Sequence, residues 1–254
     1  MRDLTNAGLA VRLLKRLDML RNRSCLRYVD KFVLISRHQA EILEIEADSF
    51  LVVEGMVRAN SAPDPLPAVE AGQEPLFTVV YTGGVDERNG VKDLVDAVPH
   101  LTHDRVRVVF CGAGDLVSYV RARSASDSRI VVTGQVDHEE SLSWQTRADL
   151  LINPRPGTAE FTRYSFASKT LEYLLAGKPV LAFRNDGTPS EYDEHLMYIS
   201  EPGPAGIAAA IDGVIVMPQS EREARGARGR AFVEAEKSAE RQMRRLLDFL
   251  GVTP

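Results

Sequence analysis

Two cysteines, Cys25 and Cys111, are all that 254 residues contain, and they stand far apart with no Cys-x-x-Cys pair. A disulfide scaffold and a cysteine-held zinc site are thereby excluded, and a reducing, cytoplasmic compartment is expected. No apolar run approaches the roughly 18 to 20 residues of a membrane span, and the first residues lack the apolar stretch of a signal peptide. Positive charge is in deficit: 31 Lys and Arg face 36 Asp and Glu, a formal net charge of -5, which leaves no electrostatic footprint for nucleic acid. The five histidines, His38, His100, His103, His138 and His195, are scattered without metal-ligand spacing.

What is present is a globular composition, 44% hydrophobic and 26% charged, sufficient for a sizeable core. The length suits one large domain plus a fragment and is too short for two full α/β domains. Charge is uneven. Residues 1–28 hold seven Lys and Arg against two Asp, a local charge of +5. Leu9, Leu13, Leu17 and Leu20 fall on one face of a helix there. Such a helix either packs on a partner domain or lies on an anionic membrane, and the spacing leaves both open.

Residues 31–36 and 50–53 read as strands around a helical stretch at 37–46. Residues 58–75, with Pro63, Pro65, Pro67, Gly72 and Pro75, read as a linker. Beyond it, short apolar runs at 77–81, 106–111, 130–132, 150–152, 180–183 and 197–199 alternate with helical stretches at 91–98, 116–123, 139–147, 169–176 and 205–214. Strands buried on both faces give such runs, so the class is α/β, a doubly wound, Rossmann-like parallel sheet of about six strands. The division is 1–57, a linker at 58–75, the sheet domain at 76–218 and a charged helical tail at 219–254.

In an open α/β sheet the ligand lies outside the carboxyl ends of the strands, so chemistry is sought in the loops that follow them. Three stand out. In the first, residues 82–90, Gly83 and Gly84 allow close backbone approach and Arg88 offers guanidinium donors to a phosphate, although paired glycines are as often a tight turn. The second, residues 111–115, carries Gly112 and Gly114 like the start of a dinucleotide fingerprint, but Val117 stands where the third glycine belongs. A hydride-transfer cofactor is therefore not expected. In the third, residues 164–180, Ser168 is placed as an N-cap, Gly177 as a helix stop and Pro179 as the lead into a strand. Helix amides beside Lys169 suit a diphosphate, and Glu172, one turn in, can accept two hydrogen bonds from a ribose diol. A solvated surface carboxylate is the alternative at that position. Trp144 sits in a helical stretch with Leu142 and is expected to pack, and His138 to cap the helix that follows it.

Residues 166–180, Phe-Ala-Ser-Lys-Thr-Leu-Glu-Tyr-Leu-Leu-Ala-Gly-Lys-Pro-Val, resemble the signature of retaining glycosyltransferases of the GT-B fold, family 4. Residues 81–94, 109–115 and 132–154 resemble three further blocks of that family in order and spacing, and the resemblance spans about residues 29–250. It implies a donor-binding domain that holds a UDP- or GDP-linked sugar without a metal or other cofactor, and transfer of a hexose to a glycan or lipid-linked acceptor, as in polysaccharide biosynthesis. The implied nucleotide contacts fall on Gly83, Gly84, Gly112, Val136, Phe166, Ala167, Ser168, Lys169, Thr170 and Glu172, with Glu172 on the ribose. The sequence departs from the family at Tyr164, in place of a sugar-gripping Glu, and at Val85 and Asn89, in place of a basic pair on the phosphates. Arg88 and Lys169 are the expected substitutes, stabilising charge that builds on the leaving diphosphate. Asp86 and Glu87 are a poor metal site.

Only the end of the family's acceptor domain has a counterpart, in residues 1–57. The resemblance therefore implies a donor-binding half that works with a separate acceptor-domain polypeptide or as a homo-oligomer, with 1–28 as a peripheral contact on the inner membrane face. Phe232, Met243, Leu246 and Leu250 in the tail would then lack a partner. The alternative is a nucleotide-sugar-binding regulatory module that has lost catalysis, or a truncated copy of a larger enzyme that needs a partner acceptor domain.

Overall fold

A computed structural model describes residues 9–58, 76–158 and 160–252, so all of the expected linker but Arg58 lies outside the described residues, as do residues 1–8. The chain opens with helix α1 (Leu9–Leu26), strand β1 (Phe32–Leu34), helix α2 (His38–Leu43) and strand β2 (Phe50–Val52). β1 and β2 pair in parallel from Phe32 opposite Phe50 to Leu34 opposite Val52. Among the described residues no helix is long and apolar enough to cross a membrane.

The second unit alternates β3 (Phe77–Thr82), α3 (Val91–Ala97), β4 (Val106–Cys111), α4 (Val117–Ser124), β5 (Ile130–Gly134), α5 (His138–Arg147) and β6 (Leu150–Asn153). It continues through α6 (Glu160–Arg163), α7 (Lys169–Leu175), β7 (Val180–Ala182), β8 (Met197–Tyr198) and α8 (Gly203–Ile215). The six strands form one parallel sheet in the order β5-β4-β3-β6-β7-β8. This is the doubly wound class that the apolar runs imply.

Alternation within the strands feeds two separate cores. Val79, Phe110 and Ile152 face one layer with Leu94 of α3 and Ile207 and Ile211 of α8. Val80, Val109 and Leu151 face the other, with Tyr173 and Leu174 of α7 and Val233 from the tail. Each such side chain contributes about 1.5–3 kcal/mol by leaving water. Because both faces are covered, neighbouring residues in one strand are all buried, which is why the runs look continuous.

The charged helical tail is not continuous. It is two helices, α9 (Gln219–Glu236) and α10 (Ala239–Leu250), broken at Lys237 and Ser238. Ser238 caps α10 by accepting from the Arg241 amide at 3.3 Å. The break exists because the backbone there pairs elsewhere: the Val57 amide donates to Lys237 O and the Ala239 amide to Val57 O, both at 2.8 Å. Lys237, 1% exposed, is held between the carboxylates of Glu54 and Glu191. A buried ammonium needs such partners, and they come from positions far away in the sequence. Nor is Phe232 without a partner: its ring meets Tyr192 edge-on at 5.1 Å and stacks on His195 at 4.2 Å. Met243 and Leu250 are exposed and Leu246 is half-buried.

Candidate functional site

The chain runs outward from β3 through β4 and β5, then returns to place β6 against the other edge of β3. That reversal leaves a crevice between the loops that follow β3 and β6, where ligands of open parallel sheets bind. A cleft of about 170 Å³ lies there, walled by Gly83, Gly84 and Asn89 after β3, Asn153 and Arg155 after β6, and the entry into α7 from Phe166 to Lys169. Among the described residues its lining holds two cationic side chains, Arg155 and Lys169, and no carboxylate.

The loop after β3 is shaped by Asp86, whose carboxylate accepts from the Asn89 amide at 2.9 Å, while Asn89 Nδ2 donates to Gly84 O at 3.0 Å. Asn89 therefore closes the turn, and Val85 is fully buried, so the two positions of the family's basic pair are structural here. Gly83 adopts φ +146 and donates to Cys111 O at 2.9 Å. Gly112 lies beneath it: a Cβ there would stand 1.8 Å from Gly83 O. Gly112 thus supports the cleft from below without lining it.

The entry to α7 also differs from expectation. Ser168 is already in the helical region and its hydroxyl makes no capping bond. A tight turn replaces the cap, with the Thr170 amide donating to Ala167 O at 2.8 Å and the Leu171 amide to Ser168 O at 3.1 Å. Two of the amides expected to face an anion are therefore engaged; those of Ser168 and Lys169 have no protein acceptor among the described residues. At the far end Gly177 takes φ +70, the left-handed stop that its position requires.

Gly83, Gly84, Phe166, Ala167, Ser168 and Lys169 are thus brought together. Glu172 stands beside them, its Oε2 accepting from Lys169 Nζ at 3.0 Å and from Gln145 Nε2 at 3.4 Å, with the side chain one third exposed. Thr170 is buried, 3% exposed, and Val136 packs against the core on the α7 side of the sheet with Trp144. Asp137, not His138, caps α5, accepting from the Glu140 amide at 2.8 Å. Arg88 is exposed and lies over the Phe161 ring at 5.4 Å.

Arg155 is the residue that sequence reasoning missed. Its Nη2 donates to Ser165 Oγ at 2.7 Å, its guanidinium also lies over the Phe161 ring at 4.5 Å, and its Nε is buried with no partner among the described residues. Burial, and then the like charge of Arg88, lower its pKa. The available signal was its place, two residues beyond the end of β6.

The β1–α2 unit closes over one side of this region. Ser36 Oγ donates to Arg163 O at 2.8 Å and Gln39 Nε2 to Tyr164 O at 3.0 Å. A larger cavity, about 550 Å³, lies between that unit and residues 186–191, with Arg37, Glu54, Asp186 and Arg245 in its walls.

Residues 77–216 match the family described as glycosyl transferases group 1. A phosphatidyl-myo-inositol mannosyltransferase of Propionibacterium freudenreichii is 35% identical over 114 residues, 44% of this chain and 26% of that protein. Among solved structures, HepE of Anabaena in complex with UDP superposes with a TM-score of 0.69 at 13% identity, over 87% of this chain and 64% of that one. Sucrose-phosphate synthase from Thermosynechococcus elongatus superposes with a TM-score of 0.70 at 19% identity, over 92% and 62%. The match therefore spans about a quarter of the curated relative and just under two thirds of either solved chain.

Proposed function

The chain belongs to the glycosyl transferases group 1 family, and we propose that its cleft binds a UDP- or GDP-linked hexose and supports transfer of the sugar to a glycan or lipid-linked acceptor. The observation that carries this reading is that Arg155 and Lys169 both line the cleft at the reversal point of the sheet, with the Glu172 carboxylate beside Lys169. The diphosphate takes the place between Arg155, Lys169 and the free amides of Ser168 and Lys169. The ribose diol falls to Glu172. In the transfer, the bond between the anomeric carbon and the β-phosphate oxygen breaks and its electron pair leaves with the diphosphate, while an acceptor hydroxyl oxygen bonds to the anomeric carbon and gives up its proton to the departing diphosphate. Fixed cations and amides stabilise that charge most strongly where water is excluded. The donor set suits an anion, since a divalent cation would find no carboxylate in the lining.

The acceptor approaches from the larger cavity, whose walls offer charges of both signs and the hydroxyls of Thr188 and Ser190 to a polyhydroxylated molecule. Helix α1 presents Leu13, Leu14, Leu17 and Leu20 to solvent among Arg16, Arg21 and Arg23, a surface suited to an anionic membrane face. With two free thiols, a cytoplasmic position at the inner face fits this reading, as does a role in polysaccharide synthesis with the remainder of an acceptor domain supplied in the same protein or by a partner.

The test is release of UDP or GDP from the corresponding hexose donors, with Glu172→Ala alongside. Loss of the carboxylate weakens donor binding by about 1.5–3 kcal/mol, roughly ten- to a hundredfold. Donor affinity unchanged by that substitution removes Glu172 from the site.

A further inference from the structure

Gln145 lies in the middle of α5, and its side chain is 0% exposed between the sheet and α7. An amide in that setting is costly unless its bonds are made, and only half of them are: Oε1 has no partner among the described residues. Nε2 is the engaged end. It donates to Thr82 Oγ1 at 3.1 Å and reaches Glu172 Oε2 at 3.4 Å, with Ser141 Oγ at 3.5 Å. The reverse orientation of the amide would set its carbonyl oxygen against the Glu172 carboxylate, so the observed one is fixed by its neighbours.

Glu172 Oε2 has two donors, Lys169 Nζ at 3.0 Å and Gln145 Nε2. The two differ in what a ligand does to them. Lys169 lines the cleft and is one third exposed, so an incoming diphosphate competes for its ammonium. Gln145 is sealed from the cleft and keeps its bond. We propose that Gln145 is a positioning residue: it holds Glu172 Oε2 when Lys169 turns to the diphosphate, and leaves Glu172 Oε1 to the ribose hydroxyls. Through Thr82, whose next residues are Gly83 and Gly84, the same amide ties that carboxylate to the opposite wall of the cleft. The inference rests on the proposed nucleotide site and adds to it a residue that touches no ligand.

The experiment measures calorimetric affinity for UDP and GDP and for their 2′,3′-dideoxy forms, in the intact chain and in Gln145→Met, each with and without Glu172→Gln. Gln145→Met keeps length and shape and removes both the donor and the orphaned carbonyl; thermal denaturation checks folding, and Gln145→Leu is the second variant. For the nucleotide that binds, the expected result is roughly a five- to tenfold loss in Gln145→Met, absent with the dideoxy form and absent in the Glu172→Gln background. An equal loss with both forms of the nucleotide, or in both backgrounds, shows a packing role and overturns the proposal. No loss at all does so too. Failure of the unsubstituted protein to bind either nucleotide overturns the parent reading first, and is seen in the first titration.

Discussion

Tyr173 of α7 and Thr82 of β3 exchange hydrogen bonds: the Thr82 amide donates to the Tyr173 hydroxyl at 2.8 Å, and that hydroxyl donates back to Thr82 O at 3.0 Å. A side chain of α7 thereby completes the backbone of β3 at its carboxyl end, where the strand turns into the glycine loop. The hydroxyl is fully buried, and burial raises its pKa well above the ordinary tyrosine value. Tyr173→Phe leaves a buried amide and carbonyl without a partner and is expected to destabilise the fold by about 1–3 kcal/mol. Urea unfolding checks this; a midpoint within error of the parent protein would show that the backbone of Thr82 finds another partner.

Lys237 fastens the tail to both units, through Glu54 at the end of the first and Glu191 between β7 and β8. Tyr192 also donates to Glu54, at 2.7 Å. Removing the ammonium alone leaves a carboxylate, 7% exposed, beside that hydroxyl without its countercharge. Lys237→Met is expected to cost about 3–5 kcal/mol, and Glu54→Gln added to it to recover part of the loss. Additive losses in the double-substituted protein, read by chemical denaturation, would show that the two groups are not coupled.

Acid stability has an identifiable contributor in Asp96. Burial works to raise its pKa, but hydrogen bonds from Lys92, Tyr119 and Arg123 outweigh it and bring the carboxyl from 3.8 down to about 2. A carboxyl depressed in the folded state contributes stability above its unfolded pKa, and loses that contribution as pH falls through the folded one. The window is therefore from pH 3.8 to about 2. Across it the parent protein is expected to lose about 2 kcal/mol that Asp96→Asn does not lose. Parallel pH profiles of unfolding free energy for the two proteins would refute this assignment.

Much of the sheet was legible because a strand covered on both faces leaves a continuous apolar run: residues 106–111 are a run and a strand with the same bounds. Gly177 was legible because the stop of α7 needs a left-handed residue, which glycine adopts without penalty. The break at Lys237 was not, since Val57 and the two carboxylates that dictate it act from across the fold and leave no local mark. Ser168 has the chemistry of a cap, yet the turn formed by Ala167 and Thr170 makes the cap unnecessary. Arg155 was hidden because a lone arginine after a strand looks like any surface residue. Only the fold shows that Phe161 and Ser165 lie against its guanidinium and that its Nε is buried with no partner among the described residues.

Arg155→Ala tests the proposed diphosphate seat of Arg155 and Lys169 most directly, because that side chain makes no ion pair among the described residues whose loss could be mistaken for lost binding. Titration of UDP and of GDP into the parent protein is expected to show binding of one of them, weakened roughly ten- to a hundredfold in Arg155→Ala with little change in the unfolding midpoint. Equal affinity in the two proteins, or no binding of either nucleotide to the parent, would contradict it.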